Sequence, residues 1–106
     1  MKEHRLLTPK EEARAERSLY RAISSIRDVE ECEKFFKDLC TPAEIQAMVD
    51  RWNVVEPLTR GVPYRKIHDA TGVSVTTIGR VARFLSQGHG GYQAVLKRLK
   101  GSRHAR

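Results

Sequence analysis

The stretch "ATGVSVTTIGRVARFL", residues 70–85, places a glycine between two helix-like runs and continues with hydroxyl groups, a second glycine and two arginines. Pro63 can begin a short helix before the first glycine, and Ser74 can cap a second helix that extends to about Leu85. Gly72 suits the intervening turn because glycine adopts a positive φ at little steric cost. The segment therefore predicts a helix-turn-helix over about residues 63–85.

The apolar residues of this segment define an inner face of the two predicted helices. Ile67, Val73, Ile78 and Val81 recur where the helices must pack together. The opposite face of the second helix is polar, and on DNA it would offer threonine hydroxyls, a valine for a thymine methyl group, and arginines for guanine or phosphate. With three residues from the first helix, the predicted DNA-binding residues are Arg65, Lys66, His68, Ser74, Val75, Thr76, Thr77, Gly79, Arg80 and Arg83.

Two features of the segment leave alternatives open. His68 stands where a helix crossing often has a small residue, and Thr71 replaces a usual hydrophobe, so an ordinary helical hairpin remains an alternative. Gly79 is unfavourable within a helix by about 1 kcal/mol relative to alanine. Either the backbone approaches DNA closely at this position or two helices pack tightly there.

The charges of the chain are strongly segregated. The 106 residues carry a net charge of +7. Residues 1–59 contain 10 Lys and Arg against 12 Asp and Glu, whereas residues 60–106 contain 10 Lys and Arg against the single acid Asp69. A basic half beside a nearly neutral half is typical of a protein that binds a phosphate backbone, although a solvated basic surface gives the same composition.

Helix signals also dominate the rest of the chain, and no stretch favours a strand. "TPKE" (residues 8–11) and "TPAE" (41–44) each combine a threonine cap, a proline at the first helical position and a capping-box glutamate. Pro57 is expected to kink the last turn of the helix after Thr41, which Gly61 ends. Helical spacing relates Leu19, Ala22, Ile23 and Ile26, then Val29, Cys32, Phe36 and Leu39, and then Ile45, Met48, Val49, Trp52, Val55 and Leu58. These apolar stripes indicate core rather than a cofactor pocket, and the predicted fold class is all-α.

The length suits one small domain, predicted over residues 1–100, followed by a flexible basic tail, "GSRHAR", at 101–106. Three broad apolar helix faces are hard to bury within one subunit of this size, which predicts packing or helix exchange between two copies. Phe35, Phe36 and Trp52 are expected near that interface. The N-terminal residues lack the apolar stretch of a secretory signal, and no apolar run could cross a bilayer, so a cytoplasmic protein is expected.

No residue pattern predicts a metal site, a cofactor or a catalytic centre. Cys32 and Cys40 lie about 12 Å apart along one predicted helix, which excludes a disulfide between them, and both are predicted to be buried core thiols. The four histidines have no partner at ligand or catalytic spacing. The glycine-rich "QGHGGY" (87–92) lacks the lysine and hydroxyl of a phosphate loop and is typical of a helix stop and connector. An enzyme is therefore not expected.

From Leu39 to Leu85, the run "LCTPAEIQAMVDRW…LTRGVPYRKIHDATGVSVTTIGRV" resembles the Trp repressor superfamily, and the following "GGYQAVLKRL" resembles its YerC/YecD branch. The resemblance implies an all-helical homodimer in which two subunits intertwine their N-terminal helices. It also implies that the dimer presents a pair of helix-turn-helix readers to DNA. Members that respond to tryptophan hold it between the segment after "TP" and the recognition helix.

Five residues of this sequence can be compared with the residues of the family's tryptophan pocket. Thr41, Arg51 and Arg80 match its threonine and its two arginines, which stack over the indole. Val81 stands where the tryptophan-binding members have glycine, and Phe84 stands where a serine hydroxyl meets the amino group of the ligand. Because both departures add bulk, these five residues are predicted to form a vestigial pocket filled by the protein's own side chains, without tryptophan binding.

The predicted function is that of a dimeric, sequence-specific DNA-binding transcriptional regulator, acting as a repressor at a palindromic operator without tryptophan. The alternative is a helical protein-interaction module whose helix-turn-helix docks a protein partner, with the basic half binding RNA or nothing. The near absence of acids after residue 59 favours DNA, because a protein-docking surface does not require it.

Overall fold

The computed structural model describes residues 6–104, and the side chains of residues 6–101. The described chain is all-helical, which confirms the predicted fold class, and it contains no strand. It divides into two compact units, Met1–Thr41 and Pro42–Arg106. The single domain predicted over residues 1–100 stays a prediction. The helices are α1 (Pro9–Ser24), α2 (Val29–Leu39), α3 (Pro42–Asn53), α4 (Val55–Thr59), α5 (Tyr64–Thr71), α6 (Val75–Gln87) and α7 (Gly91–His104).

The first unit contains α1 and α2, and both begin at side-chain caps. Thr8 Oγ1 accepts from the Glu11 N–H at 3.1 Å, and Glu11 Oε1 accepts from the Thr8 N–H at 2.8 Å, which completes the predicted capping box. Asp28 caps α2 by accepting from the Glu31 N–H at 2.8 Å. These side chains satisfy N–H groups that have no partner within their helix, so the starts of both helices follow from local sequence.

Neither α1 nor α2 contains a buried residue, although each has an apolar stripe. Leu19 and Leu39 are exposed, and Val29 is 80% exposed. Cys32 and Cys40 are free and only half-buried, so the expectation of buried core thiols is not met within a single chain. The physical reason is that α1 and α2 by themselves do not supply enough apolar surface to bury each other's stripes.

The second unit holds the core of the chain. Its fully buried side chains are Val54, Val55, Ile67, Val73, Ile78 and Val81. The four inner-face residues predicted for the helix-turn-helix are all among them, so that pattern is confirmed. Helix α6 contacts α3, α4 and α5, and Tyr92 and Leu96 of α7 pack against the same cluster. The recognition-helix candidate α6 is therefore anchored on its inner side by most of the unit.

The segment after Thr41 differs from the prediction of one helix with a kinked last turn. The structure divides it, because α3 ends at Asn53 and α4 begins at Val55. Proline lacks an N–H, and its ring clashes with the carbonyl four residues earlier, which for Pro57 belongs to Asn53. The chain breaks at this point, and Val54 and Val55 both enter the core.

Helix α7 extends beyond the point where the tail was predicted to begin. It continues through Gly101 to His104, whereas the predicted tail starts at residue 101. One glycine near a helix end is too small a penalty, about 1 kcal/mol, to stop a helix by itself. Residues 105 and 106 lie outside the described residues, and the flexibility of the tail stays a prediction. No helix in the described range has the length and hydropathy needed to span a bilayer.

Candidate nucleic-acid interface

Helices α5 and α6 with their connecting turn, residues 64–87, are named the helix-turn-helix unit below. Gly72 ends α5 with a φ of 76°, as predicted, and its N–H donates to the His68 carbonyl at 2.8 Å. Ser74 caps α6 by accepting from the Thr77 N–H at 3.1 Å. The three-residue turn is thus set by a left-handed glycine and a serine cap.

Thr71 closes the turn with its hydroxyl. Thr71 Oγ1 donates to the Ile67 carbonyl at 2.7 Å and accepts from the Val73 N–H at 3.1 Å. This pair of hydrogen bonds explains the polar residue at a position where a hydrophobe is usual. The hydroxyl satisfies backbone groups that the turn would otherwise leave without partners.

His68 is also bonded to the turn. Its Nδ1 lies 2.8 Å from the Val73 carbonyl oxygen. A carbonyl oxygen only accepts, so Nδ1 carries the hydrogen, and in the neutral ring Nε2 is then an acceptor. The predicted DNA-binding role of His68 therefore has to act through a ring that is oriented by the backbone of the turn.

The outer face of the unit is polar and basic. Ser74, Val75, Thr76, Arg80 and Arg83 are exposed, whereas Thr77 and Gly79 are half-buried. Arg65 and Lys66 are exposed on α5. Within the described range, the ion pairs fall elsewhere, for example between Arg60 and Glu56, and none involves the four cations of the unit. Those cations are Arg65, Lys66, Arg80 and Arg83, which keep their full charge available for a phosphate backbone.

A side chain at Gly79 would not be crowded by α5. A Cβ atom built on Gly79 would lie 3.9 Å from Tyr64 Cε2, an ordinary van der Waals distance. Gly79 does not have a positive φ either. Tight packing within this chain therefore does not require glycine here, and close approach to DNA stays the remaining prediction.

Two arginines of α6 converge on one aromatic ring. The Arg80 guanidinium lies 4.8 Å from the centre of the Phe84 ring, and that of Arg83 lies 5.9 Å away. Both distances fall within the range of a cation–π interaction. The Phe84 ring thus lies within cation–π distance of two of the predicted DNA-binding cations.

An apolar groove of about 530 Å³ opens beside Phe84. The Trp52 ring stacks on Tyr92, with centroids 6.3 Å apart and an angle of 30°. The groove is lined by Trp52, Arg80, Phe84, His89, Gly90, Gly91, Tyr92 and Val95. Trp52 belongs to a predicted apolar stripe, but that pattern does not reveal that its ring stacks on Tyr92.

The predicted vestigial pocket is only partly reproduced by this groove. Arg80 and Phe84 line it. Val81 is 1% exposed and belongs to the core, and Arg51 is half-buried without lining the groove. Thr41 is the exposed last residue of the first unit. Val81 therefore contributes its bulk to the core rather than to the wall of the groove.

A second concave surface, named the outer cleft, lies on the helix-turn-helix unit. It measures about 470 Å³ and is lined by Tyr64, Arg65, His68 and Val75. Tyr64 is not among the predicted site residues. It lies in the first turn of α5, and its proximity to Gly79 of α6 appears only in three dimensions.

The side chains that the structure describes contain no group of three or more His, Cys, Asp or Glu residues that could hold a metal ion. The cations of the helix-turn-helix unit instead lie on exposed helix faces. They surround a helix, α6, whose inner side is anchored in the core.

The fold and this surface define the class of helical proteins that carry a helix-turn-helix, and comparison with known proteins agrees. The family described as "Trp repressor protein" matches residues 15–100. The chain belongs to the Trp repressor family.

Several relatives resemble this chain in sequence and in structure. It is 45% identical over 82 residues to the uncharacterized protein YerC of Bacillus subtilis (strain 168), covering 77% of this chain and 79% of YerC. A solved TrpR-like protein from Eubacterium eligens ATCC 27750 superposes with a TM-score of 0.78 at 39% identity, covering 82% of this chain and 90% of that one. A solved candidate Trp repressor from Staphylococcus aureus gives 0.79 at 35% identity, covering 89% and 96%. The predicted resemblance and the predicted all-helical, Trp-repressor-like fold of the chain are confirmed, and the intertwined dimer stays a prediction.

Proposed function

We propose that the protein is a sequence-specific DNA-binding transcriptional regulator. In this proposal α6 enters the major groove of a palindromic operator, and the protein acts in the cytoplasm as a repressor. The observation that carries the proposal is the outer face of the helix-turn-helix unit, where four cations without ion pairs flank exposed hydroxyls. Membership of the Trp repressor family supports the same reading.

The side chains of that face are expected to have different roles in binding DNA, because they lie at different positions along α6. Thr76 lies in the first turn of α6, which is the part of a reading helix that contacts base edges. Arg83 lies about two turns further along, where a guanidinium reaches a phosphate more readily than a base. Ser74 and Thr77 are engaged in capping, although their hydroxyls stay at the surface of the helix start.

A dimer supports this function because it would cover the apolar surface that one chain leaves open. The stripes of α1 and α2 contain no buried residue, and Leu19, Val29 and Leu39 are exposed. Surfaces of this kind in soluble proteins mark interaction sites. A two-fold dimer would also present two reading helices to two half-sites, the arrangement that a palindromic operator requires.

Independence from tryptophan forms part of the proposal. The Phe84 ring occupies the position where the family resemblance places a hydroxyl for the ligand's amino group, and Arg80 stacks on it. An ammonium group without an acceptor would lose a hydrogen bond at a cost of about 1–3 kcal/mol. These features favour a regulator whose DNA affinity does not depend on this ligand.

Selection of bound fragments from a random duplex library tests the function. We expect enrichment of a palindromic sequence. If four cations per subunit each meet a phosphate, a dimer neutralises eight, and log K should fall with log salt with a slope of about −7, or roughly a hundredfold for each doubling of salt. Replacing Arg83 by Gln should make the slope shallower by about 2 for the dimer, whereas Lys34→Gln, an exposed lysine of α2, serves as the matched control.

Two outcomes would contradict the proposal. Failure to bind any duplex would favour the protein-interaction module. Binding with no enriched sequence and with the same slope for both variants would indicate non-specific attraction by the basic half rather than reading by α6.

A further inference from the structure

The outer cleft combines apolar walls with one cation, Arg65, although it lies on the face proposed to meet DNA. Val75 is 52% exposed at the first position of α6, and Tyr64 is 42% exposed on α5. An aliphatic and an aromatic side chain thus both line the cleft and both remain partly in water. Neither is needed by the core, whose buried members are other residues.

The Tyr64 ring is held next to the reading helix. Its Cε2 lies 3.9 Å from the position that a Gly79 Cβ would take, so the ring edge lies beside the bare backbone of α6. Within the described residues, its hydroxyl has no hydrogen-bond partner. The Tyr64 ring therefore lies beside α6, and its hydroxyl remains available to a ligand.

The other two lining residues are polar and fixed in different ways. His68 is oriented by its bond to the Val73 carbonyl, and Arg65 is exposed without an ion pair. The cleft thus offers two apolar surfaces for a small apolar group, with hydrogen-bonding groups beside them. A guanidinium and a phenolic hydroxyl both suit the oxygen acceptors of DNA.

One group on the major-groove edge of unmodified DNA matches such a cleft. Of the four bases, only thymine carries an apolar substituent there, the 5-methyl group, and the O4 acceptor lies next to it. We propose that the outer cleft is a thymine-recognition site, in which the methyl group packs between the Tyr64 ring and Val75 while the Tyr64 hydroxyl donates to a neighbouring oxygen. Tyr64 then determines specificity together with α6. This inference rests on the proposed function.

The test replaces each thymine of the selected operator in turn by deoxyuridine, which removes only the methyl group. At one position in each half-site, we expect the replacement to weaken binding of the parent protein about fourfold, or about 15-fold when both half-sites are changed. The variants Val75→Ala and Tyr64→Ser should bind the thymine and deoxyuridine operators almost equally. Tyr64→Phe should retain the discrimination, because it keeps the ring, but should bind both operators more weakly.

Tyr20→Ser provides the matched control, because Tyr20 is an exposed tyrosine of α1 whose hydroxyl donates to Glu16. It should keep the full preference for thymine. Circular dichroism shows whether Tyr64→Ser is folded. If it is not, Val75→Ala and Tyr64→Phe still decide the matter, since Val75 is exposed and the phenylalanine variant preserves the ring.

The inference is overturned if no thymine position discriminates with the parent protein, or if Val75→Ala and Tyr64→Ser discriminate as strongly as Tyr20→Ser. Those results leave the proposed function intact, provided that the parent still selects a sequence. Absence of binding to any duplex would instead remove the proposed function and the thymine site together.

Discussion

Individual side chains of the candidate interface differ in how freely they can reach DNA. The side chains of Thr76 and Arg83 are exposed and form no hydrogen bond within the described residues, whereas the hydroxyls of Ser74 and Thr77 are hydrogen-bonded to each other in the cap of α6. His68 is bonded to the turn. A side chain that also holds the fold cannot be replaced without a cost in stability, so Thr76 and Arg83 are the cleaner probes of DNA reading.

We predict separate roles for Thr76 and Arg83. Thr76→Val removes a hydroxyl with little change of shape and should alter which base is preferred at one position of the half-site. Arg83→Ala should weaken binding to all sequences, as the loss of a phosphate contact does. Binding-site selection with each variant measures both effects. If Thr76→Val keeps the parent preference while Arg83→Ala loses it, the two roles are reversed.

We also predict that L-tryptophan neither binds the parent protein nor changes its affinity for the operator, because Phe84 removes the expected hydroxyl and adds volume. Calorimetry with millimolar tryptophan, repeated with operator DNA, measures this. Saturable heat together with tighter operator binding would contradict the prediction.

The tryptophan prediction has a gain-of-function counterpart. Phe84→Ser is the better first variant, because Phe84 is 37% exposed and its loss does not open the core. Val81→Gly would instead remove a core side chain from within a helix and lower stability by several kcal/mol. The double variant is therefore meaningful only if circular dichroism shows that it is folded. Tryptophan binding gained by a folded variant would support Phe84 as the obstacle.

At the scale of elements, α6 is anchored on one side and open on the other. Ile78 and Val81 lie in the core while Thr76, Arg80 and Arg83 are exposed, so the helix presents a stable outer face. Its cap, its buried stripe and the left-handed turn before it all favour the same conformation. Gly79 is the exception, because it lowers helix stability and no contact within the chain explains it.

This exception yields a prediction for Gly79→Ala. The substitution should raise the free energy of unfolding by about 1 kcal/mol, because alanine is the better helix former and a Cβ fits at 3.9 Å from Tyr64. Operator affinity should nevertheless fall, because the added methyl group would hold the backbone of α6 away from DNA. Thermal unfolding and a binding titration measure the two effects.

Gly101→Ala is the matched control for Gly79→Ala. Gly101 is also helical, and a Cβ there would meet nothing within 4 Å. Its gain in stability should be smaller because it lies near the end of α7, and operator affinity should not change. If Gly79→Ala binds the operator as tightly as the parent, close approach of the backbone is contradicted.

At the scale of the whole molecule, charge and apolar surface are distributed unequally along the chain. The segment after residue 59 contains many basic residues and almost no acids. Helices α1 and α2, in contrast, expose apolar stripes. The cations of the proposed DNA-binding surface and the apolar stripes of the proposed dimer interface are thus supplied by different parts of the sequence. In the proposed dimer, the cations would therefore stay available to DNA.

We therefore predict a homodimer. Light scattering at micromolar concentration should give a mass near twice that of the 12.1 kDa chain. Leu39→Lys, at an exposed apolar position of α2, should shift the protein toward monomer, because a charge is costly to bury in an apolar interface. Lys34→Gln on the same helix should remain dimeric. A monomeric parent would contradict the dimer and remove the reason to expect half-sites about 34 Å apart.

Local sequence signals determined most of the helices and the inner face of the helix-turn-helix unit. Thr8, Asp28 and Ser74 cap their helices, and Gly72 makes the predicted turn, because these effects act over three or four neighbouring residues. Helical periodicity likewise sufficed to place Ile78 in the core. The Trp repressor family could also be recognised from sequence, since the motif residues lie in consecutive segments.

Tertiary structure decided how the chain accommodates Pro57, as a break rather than a kink, and which side chains share a surface. The break at Val54 arises because Pro57 excludes a continuous helix and the core accepts both Val54 and Val55. Two further features involve residues on different helices. Trp52 stacks on Tyr92, and Tyr64 lies beside Gly79. Periodicity along one helix predicts which residues share its face, but not what that face meets, because the meeting depends on how elements distant in sequence pack together.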